Sequence, residues 1–185
     1  MTATAAPPSV PEAAPPRPSP WRYVVLGVVV LFAVFWIWAL FFASKESING
    51  IEEADWSGRA QAICEAADAA RQDLADFREV DAEAPGMLAE RAAIVDRATD
   101  ILEGMLDDVV AVQPVGPKGA ELVPRWEADY RTYLDDRRSF SDDLRAGRDD
   151  PFAETVVDGI PISAKIARFA ADNRIPACVP PTDLG

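Results

Sequence analysis

Trp126, Tyr130, Tyr133 and Arg137 follow one another at spacings of four, three and four, which places three aromatic rings and one guanidinium on a single helical face. Such a set could line a small-ligand pocket between helices, with Arg137 fixing a carboxylate or other anion through its forked donors. Packing accounts for the same rings more simply, because large aromatics interdigitate with an Ala-rich partner stripe such as Ala60, Ala67 and Ala70. Arg137 itself is expected to run its stem along apolar surface and carry its charge out to water; pairing with a carboxylate inside a groove is the alternative.

The chain contains no histidine. That removes the commonest general base, the commonest metal ligand and every Ser/His or Cys/His nucleophile pair. The remaining chemistry-bearing residues are acids, including the adjacent pairs Asp107-Asp108, Asp135-Asp136, Asp142-Asp143 and Asp149-Asp150. Neighbouring carboxylates on a helix point about 100° apart, so they do not form an acid/base pair, and none opens a calcium loop with its Gly and distal Glu. Solvated helix faces and helix ends are the expected roles. Di-metal bundles require Glu-x-x-His, and the loop around Gly116 and Gly119 lacks the spacing of a phosphate cradle. No metal, no cofactor and no catalysis are expected.

Two cysteines remain, Cys64 and Cys178. Two isolated thiols cannot make a structural zinc site, whereas an even count in an exported domain favours a disulfide. A bridge would strap the C-terminal end onto the first helix beyond the membrane segment, the alternative being two buried small hydrophobes. Closing so long a loop restricts the unfolded chain by about 4–5 kcal/mol in the entropy model.

These residues depend on a stretch nearer the N-terminus. Tyr23 to Ala43, YVVLGVVVLFAVFWIWALFFA, has no charge, Asn, Gln or Pro. At the rise of an α-helix it reaches about 31 Å, the thickness of a bilayer's hydrocarbon. It reads as one transmembrane helix retained as an anchor, being longer than a signal-peptide core and carrying the bulky Phe41 three places before the only plausible cleavage point, after Ala43. Trp21 and Tyr23 at one end, with Trp36 and Trp38 towards the other, suit the two interfaces. Residues 1–22 form a Pro/Ala-rich tail with almost nothing to bury, expected to be disordered. Its Pro15-Pro16-Arg17-Pro18 has the look of a groove-binding Pro/Arg sequence, though a spacer is the simpler reading.

Only Arg17, Arg22 and Glu12 carry charge before the apolar run ends, a net +1, so the residues beyond it carry −14 of a total net charge of −13. An acidic surface of that kind repels phosphate, which argues against nucleic acid as a partner. The Lys/Arg asymmetry across the membrane segment is slight. The cysteine pair decides the orientation: tail in the cytoplasm, C-terminal domain on the oxidising, extracytoplasmic side.

Beyond a linker at 44–54, marked by the turn signal Asn49-Gly50, residues 55–185 read as one all-α domain. Trp56, Ala60, Ile63, Ala67, Ala70, Leu74 and Phe77 alternate spacings of four and three, predicting a helix from Asp55 to about Val80. Pro85 fits the first turn of a second helix, to about Val112, with its stripe at Leu88, Ala92, Val95, Thr99, Leu102, Leu106 and Val109. A flanking row, Ile94, Ala98, Ile101 and Met105, makes its face broad enough to touch two partners. A third helix is expected from about Ala120 to Gly147, with Pro124 in its first turn and a stripe from Trp126 to Leu144. A last one is expected from an Asp158 N-cap to Asn173, after a short segment opened by Asp149-Asp150-Pro151 and running to Val157, which could hold a helical turn. Short connections require antiparallel neighbours, so the expected fold is an antiparallel four-helix-bundle-like domain on a membrane stalk.

This plan, with an early Ile63-Cys64 and a late Pro176-Ala177-Cys178, resembles a loose class of single-pass or lipid-anchored exported proteins with actinobacteria-like, Arg-rich and Lys-poor sequences. The resemblance implies an exported helical domain tied by Cys64 and Cys178. In architecture it is also similar to the four-helix periplasmic sensor modules of chemoreceptors, which carry a second membrane helix and a signalling domain. The expected function is that of a non-catalytic binding or accessory protein of the cell envelope, integral to the membrane and facing an envelope or membrane protein partner. A sensor-like small-ligand module is the alternative.

Overall fold

The computed structural model describes residues 20–41, 47–74 and 86–184. The tail at 1–19, residues 42–46 with the end of the apolar run and the start of the linker, and residues 75–85, which include the predicted stripe position Phe77 and Pro85, lie outside the described residues. The chain separates into two compact units, Met1–Lys45 and Glu46–Gly185.

The first unit contributes α1, Pro20–Phe41, a helix of 22 residues whose most apolar 18-residue stretch has mean hydropathy 2.8, with none of its residues buried. Length and composition suffice to cross a membrane. It begins three residues before Tyr23, because Pro20 is tolerated where a helix has no partner for its N–H.

The second unit is mostly helical: α2 (Ala54–Gln72), α3 (Met87–Val110), α4 (Pro117–Arg145) and α5 (Ile162–Asp172), with a 3-10 turn at Pro176–Cys178. α3 lies between α2 and α4, touching both, and packs most extensively on α4. α5 covers another part of α4, and the 3-10 turn sits on α2 and α5. On α3 every predicted stripe residue from Ala92 to Val109 is buried, and Ala98 and Met105 of the flanking row are buried as well.

α2 departs from expectation. Trp56, Ala60, Cys64 and Ala67 are buried, Ile63 is half-buried and Ala70 faces solvent. A strict 4,3 alternation repeats every 3.5 residues, and a straight helix turns away from such a stripe by about 20° per heptad. The helix ends at Gln72, earlier than predicted. Asp73 places a negative side chain at the negative end of the helix dipole, and the last turn tightens as Leu74 N–H donates to the Arg71 carbonyl at 3.0 Å.

α4 starts at Pro117 rather than near Ala120, so Pro124 lies inside the helix instead of in its first turn. The early start is held by a distant side chain. Glu53 accepts from the N–H groups of Val115 and Gly116, both at 2.8 Å, placing a carboxylate at the positive end of α4. At the other end Gly147 (φ 80°) sends its N–H to the Leu144 carbonyl at 3.0 Å while Arg148 reaches the Asp143 carbonyl at 2.9 Å, the paired bonds of a Schellman motif.

Asp158 is not the N-cap of α5. It stands at φ 53° beside Gly159 at φ 78°, the two central residues of a tight hairpin joining β1 (Val156–Val157) to β2 (Ile160–Pro161). Two successive positive φ values are what an Asp-Gly pair supplies in a type I′ turn. The predicted helical turn before Val157 is therefore replaced by a two-residue ribbon. Glu154 takes over the cap, accepting from Ser163 N–H at 2.7 Å and from its hydroxyl at 2.9 Å.

The core gathers Ile51, Trp56, Leu106, Val123, Trp126, Ile166 and Ile175, so the connector before α2 already contributes a buried side chain. Asn173, itself buried, accepts from Ile51 N–H at 2.8 Å and donates to the carbonyls of Asn49 and Phe169. The end of α5 is thus fastened to the Asn49-Gly50 turn.

Gly104 stands apart. It lies inside α3, and a Cβ there would meet nothing within 4 Å. Because Ala loses less backbone entropy in a helix, Gly104→Ala is expected to stabilise the fold by about 1 kcal/mol. Thermal unfolding should show the midpoint rising by about 2–4 °C.

Candidate functional site

The helical spacing of α4 brings Trp126, Tyr130, Tyr133 and Arg137 onto one face, and all four are buried. The rings form a continuous ladder. Trp126 stacks on Phe169 at 5.4 Å and meets Tyr130 edge-on at 5.4 Å; Tyr130 meets Tyr133 at 6.2 Å and Tyr133 meets Phe152 at 6.1 Å. Edge-to-face arrangements of this kind place positive ring edges on negative ring faces.

Arg137 does not reach for water, and here the expectation of a solvent-directed charge is corrected: its exposure is 0%. The reason lies in its partners. Nη1 and Nη2 hold the two carboxylate oxygens of Asp183 at 2.6 and 3.2 Å, Nε donates to Thr99 Oγ1 at 3.0 Å, and Nη1 also reaches Tyr133 OH at 3.3 Å. A forked donor set satisfied in this way tolerates burial that a lone charge would not. The donor directions agree throughout: Tyr133 OH passes its proton to the Pro181 carbonyl at 2.9 Å, and Thr99 donates to the Val95 carbonyl at 2.7 Å.

Asp183 also meets Arg71 of α2 at 3.2 Å, so one carboxylate ties α2, α4 and the C-terminal segment together. Leu184, next along, is buried beside Ala92, Val95, Phe140 and Leu144. Spacing offers no pointer to Asp183, Thr99 or Arg71. Asp183 is a solitary acid in a Pro-rich segment, Thr99 reads as an ordinary stripe member, and Arg71 as a surface residue near a helix end.

Partial burial pushes the Asp183 carboxyl up, but the Arg137 hydrogen bonds and charge, with Arg71 behind them, bring it below the usual aspartate range. A carboxylate whose folded pKa is depressed contributes stability above its unfolded value, near about 4, and loses it as pH falls further. Unfolding midpoints measured from pH 7 down to pH 2 should therefore decline below about pH 4, and Asp183→Asn should flatten that decline. Burial pushes both the Tyr130 and Tyr133 phenols up, keeping them neutral. Tyr130 OH and the indole nitrogens of Trp56 and Trp126 are buried without a hydrogen-bond partner among the described residues.

Cys64 and Cys178 are joined in a disulfide across 114 positions, fixing the 3-10 turn to α2. Both half-cystines are fully buried, with Gln61 Oε1 accepting from the Ala177 N–H at 3.1 Å beside them. The acidic pairs divide their roles: Asp107 pairs with Arg131, Asp142 with Arg145, Asp143 with Arg148 and Asp149 with Arg91, while Asp136 holds the backbone and hydroxyl of Thr155. Among the described residues no cluster of three metal-ligating side chains occurs.

The arrangement is that of a mostly helical, disulfide-bonded unit accompanied by one apolar helix of membrane-spanning length. No family model matches the chain, and no curated protein or solved structure matches it either.

Proposed function

We propose that this protein is a membrane-anchored, extracytoplasmic binding or accessory protein of the cell envelope, non-catalytic, whose exported part is an antiparallel four-helix-bundle-like domain. The single observation that carries the reading is the pairing of Cys64 with Cys178 in a chain that also holds one apolar helix of spanning length with no buried residue. Disulfides persist in oxidising compartments, which supports an extracytoplasmic domain and a cytoplasmic N-terminus. The absence of histidine from the sequence supports a role without acid/base or nucleophilic chemistry.

Arg137 bears on the alternative of a small-ligand pocket. Asp183 already takes the guanidinium fork that an anionic ligand would need, which favours the accessory reading. Formaldehyde crosslinking in intact cells, then detergent purification of the full chain, tests the choice: an envelope or membrane protein should be recovered with it. Recovery of the chain alone across several detergents contradicts the proposal.

A further inference from the structure

An open groove of about 430 Å³ runs between α2 and α3. Ile63 and Ala67 from α2, with Ile101 and Met105 from α3, make an apolar floor. Ala66 and Gly104 stand on the two walls, both exposed, and Asp100 and Asp108 line the α3 side.

The fold does not require this shape. A side chain at Gly104 would meet no neighbour within 4 Å, yet the position keeps the residue least favourable to a helix interior other than proline. With Ala66 opposite, small side chains leave width for the backbone of another helix to come close and for its ridge of side chains to settle between α2 and α3. Charge then selects what that helix carries. Asp100 and Asp108 are eight residues apart on one helix, about 12 Å or two turns. Asp108 has no ion pair or hydrogen bond among the described residues, and Asp100 shares Arg138 with Glu103. A second copy of this chain, with net charge −13, would be repelled on approach.

We propose that the groove seats a basic amphipathic helix of a partner protein. Its apolar stripe lies on Ile63, Ala67, Ile101 and Met105, and two Lys or Arg side chains about two turns apart face Asp100 and Asp108. The inference rests on the accessory-protein reading and names the partner's chemistry.

The test places a photoreactive benzoylphenylalanine at position 66 of the full chain in its native membrane. Irradiation should give a protein adduct whose crosslinked peptide is a predicted helix with basic residues seven or eight positions apart. Gly104→Leu fills the groove from a position with open space, so it should leave the thermal midpoint unchanged or higher while cutting the adduct by about tenfold. An adduct untouched by Gly104→Leu, or one formed with a second copy, with lipid or with an acidic segment, overturns the proposal. If formaldehyde recovers a partner while position 66 yields no adduct, the groove assignment falls and the accessory reading stands. If neither captures a protein, both fall.

Discussion

Asp183→Asn is expected to destabilise the folded domain by about 2–3 kcal/mol, and Arg137→Met by less, about 1–2 kcal/mol. The two residues form one ion pair, but their losses are unequal because their surroundings differ. Removing the Asp183 charge leaves a guanidinium of 0% exposure facing two hydroxyls and no counter-ion. Replacing Arg137 instead leaves a carboxylate whose side chain is 24% exposed and still within 3.2 Å of Arg71. It also orphans no donor, since Thr99 and Tyr133 accept from Arg137 while their own protons go to Val95 and Pro181. The order of the two losses in urea unfolding checks the argument, and a double variant should cost less than the sum of the singles. Equal losses, or the reverse order, would mean that water already reaches the Arg137 fork.

The disulfide carries the larger figure. Cys64→Ala with Cys178→Ala should lower stability by about 2–5 kcal/mol, the upper end being what the entropy model gives for so long a loop. The effect acts on the unfolded chain, but it also has a local site. The 3-10 turn at Pro176–Cys178 lies on α2 and α5, and the segment after it delivers Pro181 and Asp183 to α4. Release of the turn should therefore loosen the Arg137 pair before the α3–α4 contact. Amide hydrogen exchange should show earlier loss of protection around residues 175–179 than in the middle of α3. Uniform loss across the domain would show instead that the strap and the helices open together.

The helices are legible in the sequence because their apolar positions recur at three and four, and the broad face of α3 is legible for the same reason. The drift on α2 is not: stripe counting treats 3.5 and 3.6 as equal, and over Trp56 to Ala70 the difference moves Ala70 into solvent and Cys64 into the core. The Asp-Gly hairpin at Asp158-Gly159 reads in sequence as a helix cap. Aspartate serves both roles, and the deciding feature, two positive φ values, depends on Val156 and Val157 finding Ile160 and Pro161. Glu53 and Glu154 cap helices that begin 64 and 8 positions further along in the first and second case, so distance along the chain hides at least the first.

The aromatic face of α4 is readable as a set, whereas the partner that decides its character is not. Asp183 has no spacing relation to Arg137; a chain crossing between α2 and α4 brings them together, and Cys178 is what anchors that crossing. A single arginine among aromatics is ambiguous until its carboxylate is known. With Asp183 in the fork, Tyr133 and Arg137 hold the C-terminal segment on the domain, while Trp126 and Tyr130 pack in the aromatic ladder.

The central claim, an anchored chain whose domain lies in an oxidising compartment, is tested most directly by mass-tagging thiols in membranes pelleted from acid-quenched cells. The account predicts that the protein stays in the pellet after alkaline washing and accepts no maleimide tag under denaturing conditions until a reductant is added, then two, one for each cysteine. Two tags without reductant, or a protein released by the wash, would contradict it.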